Sequence, residues 1–159
     1  MAKQKITPFL WFDTQAEEAA NLYVSIFKDA RLLSASRYTD AGPGPKGSAM
    51  TVSFMLFGQE FIALNGGPHV TFNESISFLV HCDTQEEVDH YWDRLIADGG
   101  TPSQCGWLKD KFGVSWQIVP RVLLDLQGGE PARVGRMMQA MMKMRKLDIA
   151  GLKRAYDGS

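Results

Sequence analysis

"FDTQAEEAANLY", residues 12–23, and "HCDTQEEVDHYW", residues 81–92, carry the same pattern, with Asp-Thr-Gln starting at Asp13 and again at Asp83. Each triplet follows a run rich in β-branched and aromatic residues, "ITPFLWF" at 6–12 and "SISFLVHC" at 75–82, which is strand composition. Each also starts a helix by the same logic. Asp or Thr accepts from the orphan N–H groups of a first turn, and the acids that follow suit the positive end of the helix dipole. Glu17 stands three residues after Thr14 and Glu87 three after Thr84, the spacing of a capping box. The helices then present matched apolar faces, Ala19, Leu22, Tyr23, Ile26 and Phe27 in one, Val88, Tyr91, Trp92, Leu95 and Ile96 in the other. Agreement in cap, face and length predicts two copies of one βα unit, each burying its helix on its own sheet. His90, beside the second face, reads as a surface or boundary residue.

Outward from this unit, "ARLLSASRYT" (30–39), "SAMTVSFMLF" (48–57) and "QEFIALN" (59–65) are strand candidates. In the second half "GTPSQCGWLKD" and "GVSWQIVP" take the same part, with a turn at Lys111-Phe112-Gly113. Each half reads β-α-β-β-β. "DAGPGPKG" is a loop and no phosphate cradle, since it lacks GxxxxGK[ST] and no helix follows. The expected architecture is α+β in one domain, with modules at about 5–66 and 74–120 joined through "GGPHVTFNE" and curving their sheets around an open cleft. Residues 121–159 form a helical extension. There Met137, Met138, Met141 and Met142 recur with Ala140 at helical spacing, and Asp148 caps a last helix carrying Ile149, Leu152 and Ala155. The methionine stripe reads as packing across a sheet or subunit boundary, with an adaptable binding groove as the functional alternative.

The composition narrows the function classes. The 159 residues suffice for a continuous core, and 17 basic against 18 acidic residues give no electrostatic case for nucleic acid or an anionic membrane. No signal-peptide or membrane-spanning run occurs, so a cytoplasmic location is expected. Cys82 and Cys105 match neither a zinc nor a CxxC redox spacing and read as two buried reduced thiols.

The paired βαβββ halves resemble the vicinal oxygen chelate superfamily of glyoxalases, bleomycin-resistance proteins and extradiol dioxygenases. "FIALNGGP", "DTQEEVDHYWDRL", "CGWLKDKFGVSWQIVP" and "MMKMRKLDIAGLKRAY" are similar to its PhnB-like branch, in order, from about Ile6 to Tyr156. The resemblance implies a cleft between two modules and a homodimer that shares strands or modules. It also brings a customary label, 3-demethylubiquinone-9 3-methyltransferase. No strand here runs into a GxG-type glycine turn and helix of the kind that commonly binds S-adenosylmethionine.

In metal-using relatives, His, Gln or Glu ligands stand near the start of each module's first strand and near the end of its last. Those positions fall here at Lys5, Ile6 or Thr7, at Ser75, Ile76 or Ser77, at Ala63 or Asn65, and at Gln117. One neutral amide among hydroxyls does not make a divalent-cation site, so no metal and no cofactor is expected. His69, in the linker, and His81, at a strand end, lack a second ligand at a recognisable spacing. The expected ligand-binding residues, from alternate strand positions, are Trp11, Met55, Asn65, Ser77, Trp107 and Gln117; core packing accounts equally well for the tryptophans. Lys109, Asp110 and Lys111 read as a solvated hairpin turn, or alternatively place a lysine against an anionic ligand beside Trp107. No GxSxG elbow or activated cysteine is visible, and Glu60 and Glu74 are the available acids at strand ends. The reading is a protein that binds an unidentified small organic molecule without metal, its catalytic residues unknown. The alternatives are a metal-dependent lyase, isomerase or dioxygenase using His69 and Gln117, and a purely structural assembly module.

Overall fold

Phe9–Phe12 and Leu79–Cys82 both alternate exposed, buried, exposed, buried, so each can hide only one face against a helix. A computed structural model describes residues 4–159, and its chain divides after Thr71 into two units. The first contains β1 (Phe9–Phe12), α1 (Ala16–Ile26), β2 (Ala30–Arg37), β3 (Ala49–Leu56) and β4 (Gln59–Asn65). The second contains β5 (Phe78–Cys82), α2 (Gln85–Ile96), a 3-10 turn at Ala97–Gly99, β6 (Thr101–Pro102), β7 (Trp107–Lys109) and β8 (Ser115–Pro120). The strand orders are β1-β4-β3-β2 and β5-β8-β7-β6. In both, the first strand runs parallel to the last and the remaining pairs are antiparallel. The fold is thus α+β, two βαβββ modules of one topology followed by helices.

One side of each sheet is closed by its helix. Ala16, Ala19, Ala20, Tyr23 and Ile26 of α1 are buried over Leu10, Phe12, Val52, Phe54 and Ala63, where the Tyr23 and Phe54 rings lie 5.9 Å apart. Val88, Tyr91, Trp92 and Leu95 of α2 cover Val80, Cys82, Leu108, Trp116 and Ile118. Full burial of side chains this size contributes roughly 1.5–3 kcal/mol each, which sets strand register, since a slip of one residue would reverse every face.

The two Asp-Thr-Gln copies are not capped alike. Thr84 is the N-cap of α2, accepting from Glu87 N, while the Glu87 carboxylate reaches back past the cap to accept from Asp83 N at 2.9 Å, a variant of the capping box. The box expected at Thr14 and Glu17 does not form: Gln15 is the N-cap of α1 without a side-chain bond, and Glu17 pairs with Arg37 at 3.1 Å. Asn65, at the end of β4, supplies the acceptor instead, its Oδ1 receiving Ala16 N at 2.8 Å. This explains the one-residue mismatch between copies. Phe9 to Leu79 is a step of 70, whereas α1 and α2 begin at Ala16 and Gln85, a step of 69.

The second unit continues into α3 (Arg121–Leu126), α4 (Pro131–Met141) and α5 (Ile149–Asp157), the last capped by Asp148 to Ala150 N and Gly151 N. Most of the methionine stripe packs within the unit: Met137 is fully buried with Val119, Leu123, Leu147 and Leu152, ringed by Met138, Met141, Met144 and Tyr156, while Met142 is exposed. The Gln85 side chain fastens the extension to α2, donating to Leu147 O and accepting from Ile149 N. Among the described residues no helix is long and apolar enough to cross a membrane.

The β7–β8 hairpin corrects one expectation. Lys109-Asp110-Lys111 is not simply a solvated turn, because Asp110 is 3% exposed and accepts from Phe112 N, Val114 N and Trp116 Nε1 at 2.9–3.0 Å. Hydrogen bonds to a buried charge are worth roughly 1.5–3 kcal/mol each, and their loss strands the donors. Asp110→Ala should therefore lower stability by about 3 kcal/mol or more in urea unfolding. Asp110→Asn should cost less, since its Oδ1 retains both main-chain donors while the indole bond to Oδ2 is lost.

Candidate functional site

A single helix per sheet leaves the opposite face of each sheet without a cover from its own module's helix. In the first unit that open face carries Phe9 and Trp11 of β1, Ile62 and Leu64 of β4, and Ser53 and Met55 of β3, by the ladder registers Phe9–Ile62, Trp11–Leu64, Ile62–Ser53 and Glu60–Met55. Trp11 is 36% exposed and lies over Gly66, where an added Cβ would come within 2.3 Å of the indole. Its Nε1 donates to Gly67 O at 2.9 Å. Met55 shares the face but sits four residues along β3 from the Thr51–Leu64 rung beside Trp11, roughly 13 Å away, so these two do not converge.

Asn65 departs from its predicted place. It falls on the α1 side of β4, and its amide is consumed there: Oδ1 caps Ala16 N and Nδ2 donates to Ala49 O at 3.0 Å, while its carbonyl accepts the Tyr38 hydroxyl at 2.5 Å. Its rung partner is the buried Phe12, which sets it on the face opposite Trp11. A depression of about 380 Å³ nearby is bordered by Thr14, Tyr38, Gly44, Asn65 and His69, of which the Tyr38 hydroxyl and the Asn65 amide are already hydrogen-bonded.

The second unit is different. Registers Thr101–Lys109–Ser115 and Trp107–Gln117–Leu79 lay two rows of side chains across β6, β7, β8 and β5 on the open face. Ser77, one residue ahead of β5, accepts from Gln117 Nε2 at 2.8 Å. Three of the predicted residues, Ser77, Trp107 and Gln117, therefore do share one surface. A depression of about 300 Å³ opens beside them, lined by Glu74, Thr101, Ser103, Trp107, Lys109 and Ser115. Lys109 Nζ meets the Glu74 carboxylate at 2.5 Å, which holds Glu74 below the usual carboxylate range. A base for neutral pH needs the opposite shift, so Glu74 is poorly suited to that role. Ser115 is the feature that sequence reading missed: only 2% exposed, its Oγ has no hydrogen-bond partner. The signal was present, because alternation through "GVSWQ" puts Ser115 on the face of Gln117.

The metal positions are tested by the same registers. Phe9 pairs with Ile62 as Leu79 pairs with Gln117, which makes Ile62, rather than Ala63 or Asn65, the open-face counterpart of Gln117. Thr7 is likewise the counterpart of Ser77. Thr7, Ile62, Ser77 and Gln117 offer two hydroxyls, an alkyl chain and an amide, a donor set that does not fit a divalent cation. Among the described residues no three His, Cys, Asp or Glu side chains gather as a metal-binding group, and His69 and His81 are both exposed. Burial, with Glu87 and Asp83 adding to it, pushes the Cys82 thiol up to about 12, an unreactive core cysteine.

Two modules of this topology define the vicinal oxygen chelate class, and solved structures of that class share the fold. A fosfomycin resistance protein FosX from Listeria monocytogenes, complexed with Mn(II) and sulfate, is 17% identical over 76% of this chain and 91% of its own, with a TM-score of 0.51. A Pseudomonas aeruginosa protein is 20% identical over 74% of this chain and 98% of its own, with a TM-score of 0.62. Residues 4–119 match the family described as 3-demethylubiquinone-9 3-methyltransferase, and a Bacillus cereus PhnB protein carrying that description is 40% identical over 74% of this chain and 99% of its own, with a TM-score of 0.68. The chain belongs to this PhnB-like family of the vicinal oxygen chelate superfamily. No curated protein matches it.

Removing the Asn65 amide should separate scaffold from site. Asn65→Ala is expected to cost about 1–2 kcal/mol in thermal or urea unfolding, from the lost cap and the stranded Ala49 carbonyl, while leaving any ligand affinity of the second module unchanged.

Proposed function

We propose that this protein binds a small, partly apolar organic molecule on the open face of its second module, without a metal or other cofactor. The observation that carries the reading is a depression lined by Trp107, Lys109 and the unpartnered Ser115, on the same sheet face as the Ser77–Gln117 pair. An apolar wall with a few placed polar groups is the usual make-up of a small-molecule site, and a buried hydroxyl left unpaired costs free energy that a ligand can recover. Catalysis is not part of the reading: no nucleophile stands beside a base in this group.

The methyltransferase description of the family fits this chain poorly. Both strand-to-helix turns, Asp13-Thr14-Gln15 and Asp83-Thr84, lack the glycines that let a nucleotide-like cofactor approach the backbone. The metal-dependent enzyme reading meets the unsuitable donor set described above. We further propose a homodimer in the cytoplasm. Exposed Phe9, Trp11, Ile76 and Leu79 supply apolar surface for a second copy, and two unpaired cysteines suit a reducing compartment.

Native mass spectrometry of freshly purified protein, paired with elemental analysis, tests this. A dimer carrying an organic mass and no stoichiometric metal is the expected result, with Trp107→Ala reducing the retained mass. One divalent ion per subunit would overturn the metal-free reading.

A further inference from the structure

The depression beside Trp107 has a charge pattern that narrows the ligand. Thr101, Lys109 and Ser115 are consecutive cross-strand neighbours on one face, so a hydroxyl, an ammonium and a second hydroxyl stand in a row with roughly 5 Å between successive Cβ atoms. Ser77 extends the row on the far side of Ser115. Every side chain in this row can donate a hydrogen bond, and none is acidic. The one carboxylate present, Glu74, arrives from the segment before β5 and already rests on Lys109. It is 60% exposed and Lys109 is 37% exposed, so their pairing is a surface ion pair, weakly held and readily exchanged. Ser115 at the floor, by contrast, is buried with its hydroxyl unspent. The sheet itself does not need that hydroxyl; an alanine would fill the position without leaving an unpaired polar atom.

On the reading that this face is a ligand site, we infer that the row is a subsite for the carboxylate of a small organic acid. Lys109 neutralises the acid, Ser115 Oγ donates to it, and Glu74 is a competing internal carboxylate that ligand displaces. Trp107, in the next row, flanks the body of the molecule. A carboxylate is favoured over a phosphate because a single ammonium and hydroxyls balance one negative charge, with no arginine among the residues lining the depression.

The test is titration of the 15N-labelled full chain with sodium benzoate, benzamide and inorganic phosphate, in wild type and in Glu74→Gln, Ser115→Ala and Lys109→Met. Benzoate should shift the amides of residues 101, 103, 107–109 and 115, and benzamide should bind at least ~10-fold more weakly, the loss of a charge-assisted contact. Glu74→Gln should tighten benzoate about 3- to 10-fold by removing the competitor, and Lys109→Met should abolish binding. Ser115→Ala should weaken benzoate about 5- to 10-fold with an unchanged or raised Tm, a combination that a purely structural serine would not give. Equal binding of benzamide, or no gain in Glu74→Gln, would overturn the carboxylate subsite while leaving a ligand site on this face intact. Tighter binding of phosphate than of benzoate would overturn the choice of carboxylate. If neither aromatic probe perturbs the open face of the second module, the subsite and the broader binding proposal both fail.

Discussion

Each four-stranded sheet in this protein has one helix, and that imbalance governs the rest. A strand shows its side chains alternately to two faces, so Leu10 and Phe12, or Val80 and Cys82, bury themselves only by committing Phe9 and Trp11, or Leu79 and His81, to the other side. The parallel pairing of first and last strands repeats the arrangement in both modules. What the helix stabilises on one face, it exposes on the other.

The modules differ in how they use that open face. In the first it is mostly apolar, with Ile62 at the position that Gln117 occupies in the second. The second has a polar row and an indole beside a depression, and it is the one joined to the C-terminal helices, through Gln85 and the cluster around Met137. The Asp110 carboxylate works in the same direction, tying the turn before β8 to Trp116 on the helix side and so aligning Lys109 with Ser115 on the open side. A supported sheet with underused donors is what a binding surface requires.

Membership of the PhnB-like family constrains this picture without deciding chemistry. The superfamily fold is compatible with metal-dependent relatives, yet function resides in particular side chains, and the positions that would hold a metal here carry Thr, Ile, Ser and Gln. The family description names a methyl transfer for which neither strand-to-helix turn supplies the glycines.

Much of the architecture was legible from residue order alone, because periodicity and capping are local: the repeat, the helix faces, the strand candidates and the Asp148 cap all follow from neighbours a few positions apart. The exchange of caps in the first module was not, since Asn65 reaches Ala16 across 49 residues and displaces the box that Thr14 and Glu17 spell. Nor was the burial of Asp110, whose flanking lysines make the turn look solvated. The candidate site divides in the same way. Trp107, Ser77 and Gln117 were readable from alternation, but Ser115 gained its meaning only when pairing set Lys109 opposite it and burial left its hydroxyl without a partner. Sequence determines which side of a strand a residue takes; only the paired sheet decides which residues from distant strands stand together, and which polar atoms are left unpaired.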